Sequence, residues 1–222
     1  EEQYTKFQKE GDFSRTIRWL GLFAGNKRLV DACYGRLAFD RMSNDQIQYL
    51  IRTLYEKQID LPLARHTIGR LKASQMNDEQ RENLARWIWS RDEEGLKLVC
   101  DSMQDADRGR MTLLRFYRDT HQPDKGLKLV DGLAQVPMYA KEVYWAKGEL
   151  LREKRQWSEA VAAYKMADNP PDNLFRIAEC LQADNKREAG VAQLREIEGF
   201  FPKQAPEAAW RIARVYTAPA DR

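Results

Sequence analysis

Histidine is nearly missing from this 222-residue chain, which holds only His66 and His121. No His-x3-His, His-Glu-x2-His or Cys-x2-Cys spacing occurs, so the sequence offers no metal-binding motif. Cysteine is scarce as well. Cys33, Cys100 and Cys180 are widely spaced and odd in number, which gives no disulfide framework and reads as small apolar packing. Neither a Gly-x-Ser-x-Gly elbow nor a phosphate-cradling glycine loop is present. Long apolar runs are absent: residues 19–25 form one of the longest, far short of the roughly 20 residues a membrane-spanning helix needs. The N-terminus has no signal-peptide pattern, and the opening Glu-Glu-Gln looks like a processed end. Charge of one sign is also lacking. Residues 1–110 carry 19 basic against 18 acidic side chains and residues 111–222 carry 18 against 16, summing to the net +3. Without a basic block, the electrostatic footprint of a nucleic-acid binder is missing. These absences predict a chain with no catalytic residues, no cofactor, no metal and no membrane insertion.

What the chain has is periodicity. Apolar and small residues recur three, four and seven positions apart, the spacing of one helix face. The clearest stretch is 141–171, where Tyr144, Gly148 and Leu151 mark one helix and Trp157, Ala160, Tyr164 and Ala167 a second. A short polar break at 152–156 separates them, which describes a helical hairpin. Elsewhere Gly95-Leu96-Lys97-Leu98-Val99 returns 31 residues later as Gly126-Leu127-Lys128-Leu129-Val130. A small residue opens each second helix at Cys33, Ala64, Gly95, Gly126, Ala160 and Gly190. Four places on stand Leu37, Ile68, Val99, Val130, Tyr164 and Leu194, all apolar. A helix can approach its partner to about 8–9 Å where such a small residue sits. A composition that is 43% hydrophobic and 32% charged suits a thin two-layer array with much surface per residue.

The predicted fold is therefore all-α: an α-α solenoid of six tandem hairpins at 13–42, 43–74, 77–105, 107–136, 141–169 and 171–202, plus an unpaired last helix at 206–217. In the first hairpin, helices are expected over 13–24 and 27–42. Ser43-x-x-Gln46, Asn77-x-x-Gln80 and Ser90-x-x-Glu93 read as capping boxes, and Pro62 suits a first helical turn. Tyr4 and Phe7 are expected to finish a preceding helix. The acidic run Asp92-Glu93-Glu94 belongs at a helix start, where it meets the dipole favourably.

The stretch 141–171 resembles the tetratricopeptide repeat, through Tyr144-x2-Lys147-Gly148-x2-Leu151, then Ala160-x3-Tyr164, then Pro170. Lys147 stands where the family has Leu, and the step near 31 is shorter than the family's, so the likeness is to a divergent member. The resemblance covers about 13–217 and is better in the C-terminal half. It implies a right-handed superhelix whose first helices line a groove that takes a partner protein or peptide. Aligned to the pattern, Arg86, Arg115 and Arg118 face that groove, and Trp145, Phe175 and Trp210 share one equivalent position, with Glu149 and Glu179 one helical turn from two of them. A one-residue change of register would instead bury the three aromatic residues in the core. The Lys and Asn set of the family's carboxylate clamp is not found.

The function expected on this resemblance is a non-catalytic protein-interaction scaffold. The alternative is an accessory helical-repeat domain of a larger enzyme, such as one of the cell envelope. A helical-repeat nucleic-acid reader is disfavoured by the balanced charge. The run Phe201-Pro202-x3-Pro206-x-Ala208-Ala209-Trp210-x2-Ala213 looks like a junction in bacterial envelope proteins of this type. It points to the periplasm, with the cytoplasm as the other reading. Ala209, Ile212, Ala213 and Tyr216 would expose an apolar face on the last helix, which predicts self-association.

Overall fold

The computed structural model describes residues 13–71 and 76–217. Tyr4 and Phe7, and the close of the second hairpin at 72–74, lie outside the described residues. Among the described residues there are thirteen α-helices, one short 3-10 turn and no strand. The chain divides into two compact units, the first ending at Thr112 and the second beginning at Leu113.

The first unit holds α1 (Ser14–Leu22), α2 (Lys27–Tyr34), α3 (Asn44–Glu56), α4 (Leu61–Gly69), α5 (Asp78–Ile88), α6 (Glu93–Asp101) and the start of α7 (Ala106–Asp119). Helices joined by short turns fold back on each other: α1 on α2, α3 on α4 and α5 on α6. Neighbouring hairpins then stack like on like, α1 on α3 and α4 on α6. This sequential packing is that of a helical repeat.

Capping explains where several of these helices begin. Ser43 and Gln46 form a complete capping box at α3, and Asn77 with Gln80 forms another at α5. Pro62 lies in the first turn of α4, where its missing N–H costs nothing. At α6 the expected cap was Ser90, but Asp92 holds that place and accepts from the Glu94 N–H. The Asp92 carboxylate also takes two hydrogen bonds from Arg65 at 2.7 and 2.9 Å and one from the Tyr55 hydroxyl at 2.8 Å.

The first hairpin departs from expectation. Helix α2 stops at Tyr34, and residues 39–41 form the 3-10 turn. Cys33 falls in the last turn of α2 and is half-buried. The buried residue at the fourth position of the helix, where Ala64 stands in α4, is Val30. The remaining small residues, Ala64, Gly95, Gly126, Ala160 and Gly190, are all buried near the starts of their helices.

One buried charge escapes the pattern. Arg81 is 2% exposed and donates to the carbonyls of Leu71 and Ser102 at 3.0 and 2.8 Å. It also pairs with Asp78, whose carboxylate accepts from the Gln104 and Asp105 N–H groups at 2.8 Å each. Its two terminal nitrogens are thus met, which offsets much of the cost of burying the charge, while its Nε–H has no partner.

The second unit contains the end of α7, then α8 (Pro123–Leu133), α9 (Ala140–Glu153), α10 (Trp157–Ala167), α11 (Asp172–Ala183), α12 (Arg187–Phe200) and α13 (Ala205–Thr217). Each helix from α8 onward packs on the next. Two apolar seams run through it. Leu151, Ala160, Ala163, Tyr164, Ile177 and Cys180 form one, and Phe175, Ala178, Leu194, Ile197 and Ala208 form the other. Burial pushes the Cys180 thiol up to about 11, and in the first unit Cys100 up to about 12. Both therefore behave as packed, unreactive groups.

The turn inside the hairpin recurs with the same backbone. Gln58, His121, Arg155 and Asn185 all have left-handed φ, between 49° and 60°. The next residue's N–H reaches back five positions, as in Gln122 to Tyr117, Gln156 to Leu151 and Lys186 to Leu181 at 2.8–2.9 Å. That is the helix-ending motif usually built on glycine, here repeated without one.

Candidate interaction surface

The second unit carries a run of ion pairs, some within a helix and three linking α7 to α9, α9 to α11 and α11 to α13. Arg115 on α7 grips Glu142 on α9 with two bonds of 2.6 and 2.8 Å. Glu149 on α9 receives Arg152 at 2.7 Å, Arg176 of α11 at 2.9 Å and the Tyr164 hydroxyl at 2.8 Å. Glu179 on α11 is held between Arg176 at 2.9 Å and Arg211 of α13 at 2.7 Å. Arg211 continues to Glu207.

These pairs fix protonation. The Arg115 hydrogen bonds hold the Glu142 carboxyl below its usual range. Burial opposes ionisation of Glu179, but Arg176 and Arg211 together outweigh it and lower that pKa too. Burial and the Glu149 charge push the Tyr164 phenol far upward, so it stays a donor.

Two clefts flank the ladder. One of 270 Å³ is lined by Arg118, Asp119, His121, Trp145, Glu149, Arg152, Glu153 and Arg176. The other, of 470 Å³, lies among α11, α12 and α13. Its walls include Ala178, Leu194 and Trp210, with Arg187, Arg211 and Arg214 around them.

The residues singled out from sequence fall into different settings. Arg118 and Trp145 line the smaller cleft together, and Trp210 lines the larger. Arg115 is engaged by Glu142. Arg86 belongs to the first unit, where its 62% exposed side chain holds Glu82 at 3.2 Å, and Arg108 takes the other oxygen of Glu82. The three aromatic residues share a register but not an environment. Trp145 is half-buried, edge-on to Tyr164 with ring centres 5.3 Å apart. Phe175 is 8% exposed, beneath the Arg211 guanidinium at 4.5 Å. Trp210 is 57% exposed, with Arg214 over its ring at 4.8 Å. On α13, Ala209, Ala213 and Tyr216 are exposed, whereas Ile212 packs partly on the second seam.

Arg152, Arg176, Arg187, Arg211 and Arg214 were not reached by sequence reasoning. A signal existed: Arg176 and Arg211 each follow the aromatic residue of their own helix, and Glu149 and Glu179 stand four positions after theirs. Among the described residues no group of His, Cys, Asp and Glu is arranged to hold a metal ion, and no helix is long and apolar enough to cross a membrane. No family model matches the chain, and neither a curated protein nor a solved structure does.

Proposed function

We propose that the chain is a non-catalytic helical-repeat scaffold that holds another protein, through an extended segment, against the ion-pair face of the second unit. The observation that carries this reading is that an indole and a guanidinium line each of two clefts beside one ladder, Trp145 and Arg118 in the smaller, Trp210 and Arg214 in the larger. Tryptophan and arginine are the side chains most enriched at binding hot spots, because each offers large contact area with directed polar groups. Glu142, Glu149 and Glu179 are already neutralised by arginines. The face can therefore be covered by a partner without stranding those charges. The likeness to the tetratricopeptide repeat, whose arrays take peptides along their first helices, supports the same reading.

Site-specific photo-crosslinking tests it. A benzoylphenylalanine at position 118, inside the smaller cleft, should capture a discrete partner from the native cell extract. The same group at 198, an exposed position on α12 that lines neither cleft, should not. Equal capture from both positions, or capture from neither, would remove this face from the proposal.

A further inference from the structure

The larger cleft follows from four side-chain differences, three between the fifth and sixth hairpins and one on α13. Taking Trp145, Phe175 and Trp210 as equivalent, α9 corresponds to α11 with a step of 30, and α11 to α13 with a step of 35. In the fifth hairpin the ring of Tyr164 lies against Gly148 and fills the space under Glu149, donating its hydroxyl to that carboxylate. The equivalent pair in the sixth is Ala178 and Leu194, both buried. Leucine is shorter and has no hydroxyl, so the space above it stays open as the 470 Å³ cleft. Trp157, which packs on the seam of the fifth hairpin, is replaced by Arg187. The carboxylates of Glu149 and Glu179 give way on α13 to Arg214.

The charge balance of the cleft follows. Arg187, Arg211 and Arg214 stand against one carboxylate, Glu179, which Arg176 and Arg211 already hold. Among the described residues no carboxylate lies within ion-pair distance of Arg187 or Arg214. The apolar part of the lining is Ala178, Leu194, Trp210 and Val215. A concave space of this size, apolar with a few convergent charged groups, is the usual form of a ligand site.

Deepening the scaffold reading and resting on it, we propose that this cleft receives an acidic side chain of the bound partner peptide, with an adjacent apolar side chain against Trp210 and Leu194. The carboxylate meets the guanidiniums of Arg187 and Arg214, which match it in planar, two-bond geometry. In this scheme the register position that binds arginine inside the array, as Glu149 and Glu179 do, binds an external acid once it becomes Arg214.

A random dodecapeptide phage library selected on the full chain tests the assignment, since displayed peptides offer side-chain acids and no free C-terminus. Enriched sequences should carry Asp or Glu beside an apolar residue. By fluorescence anisotropy, the best peptide should bind the Arg214→Glu and Leu194→Tyr variants at least about tenfold more weakly than the wild type, as expected for loss of a desolvated charge pair. Its Glu→Gln analogue should lose as much on the wild type. Leu194→Tyr restores the side chain of the preceding hairpin, and circular dichroism checks its fold. Should it fail to fold, the exposed Arg214→Glu change decides alone. Enrichment without acidic residues, or equal binding to both variants, overturns the cleft assignment and leaves the scaffold reading standing. Absence of any enriched peptide overturns both. Quenching of Trp210 by inorganic phosphate without peptide enrichment marks a simple anion site and overturns the peptide. Dimerisation lost in Arg214→Glu identifies a second copy as the occupant, with the same consequence.

Discussion

Gly148 lies so close to the ring of Tyr164 that a methyl group on it would stand 2.6 Å from Cε1 and 2.8 Å from Cζ. The ring cannot yield, because it is fully buried and its hydroxyl is pinned to Glu149. Gly148→Ala should therefore destabilise the second unit by about 1–3 kcal/mol, the usual cost of overpacking. Gly199, in α12, has nothing within 4 Å of its virtual Cβ. Gly199→Ala should gain about 0.5–1 kcal/mol from helix propensity alone. Urea unfolding of the two variants should move the midpoint in opposite directions, and a matching shift in both would refute the contact.

Ala160 is fully buried near the start of α10, which packs against α9. Ala160→Leu should cost about 1–3 kcal/mol through forced separation of the pair. An unchanged melting curve would show that the close approach is elsewhere.

Arg155 ends the turn between α9 and α10 with φ 58°, a region that costs a side-chain-bearing residue about 1–2 kcal/mol. Arg155→Gly should relieve that strain, offset by the freer unfolded chain, for a net gain of up to about 1 kcal/mol. A loss of stability in thermal melts would mean that the side chain, not the backbone, holds the turn.

Asp92 is the polar hinge of the first unit: it caps α6, takes both Arg65 bonds and accepts from Tyr55. Asp92→Asn keeps its size but loses the charge and should cost about 2–4 kcal/mol, somewhat under the figure for a fully buried pair because Arg65 is one-third exposed. Tyr55→Phe should cost about 1 kcal/mol, one hydrogen bond's worth. Denaturation showing Asp92→Asn no worse than Tyr55→Phe would assign the stabilisation to packing.

Acid should loosen the protein from these same carboxylates. Glu142 is held below its ordinary 4.5 by Arg115. For Glu179, below 4.5, and Asp92, below 3.8, burial works against ionisation and their arginine partners prevail. Below those ordinary values the unfolded chain binds protons that the folded chain refuses. Stability is therefore complete above about pH 5 and falls as pH drops through the folded values. Glu179→Gln should flatten part of that slope. A urea midpoint that rises on acidification would contradict the sign.

What could be read from the sequence, and what could not, divides along physical lines. The all-helical class was legible because small residues at Ala64, Gly95, Gly126, Ala160 and Gly190 mark close crossings whatever lies between them. Cys33 misled because it is small and fits a step of 31, while the chain actually buries Val30 at that register. The left-handed turns were invisible: Gln58, His121, Arg155 and Asn185 share a backbone angle and no side-chain property. The burial of Arg81 had no local signal, since the carbonyls it bonds, at 71 and 102, are remote in sequence. Trp210 and Phe175 have one register and opposite exposures. What covers Phe175 is an arginine from α13, two helices further on, a fact no single helix contains.

The sharing of Glu149 and Glu179, each between arginines of two adjacent hairpins, has a bearing on how such a surface can change. Substituting Glu149 by glutamine would leave Arg152 without a carboxylate while Arg176 kept Glu179, tilting a neutral stretch toward anions while the packing beneath stays as it was. Ligand preference along this wall could thus drift by single exchanges without touching the architecture that supports it.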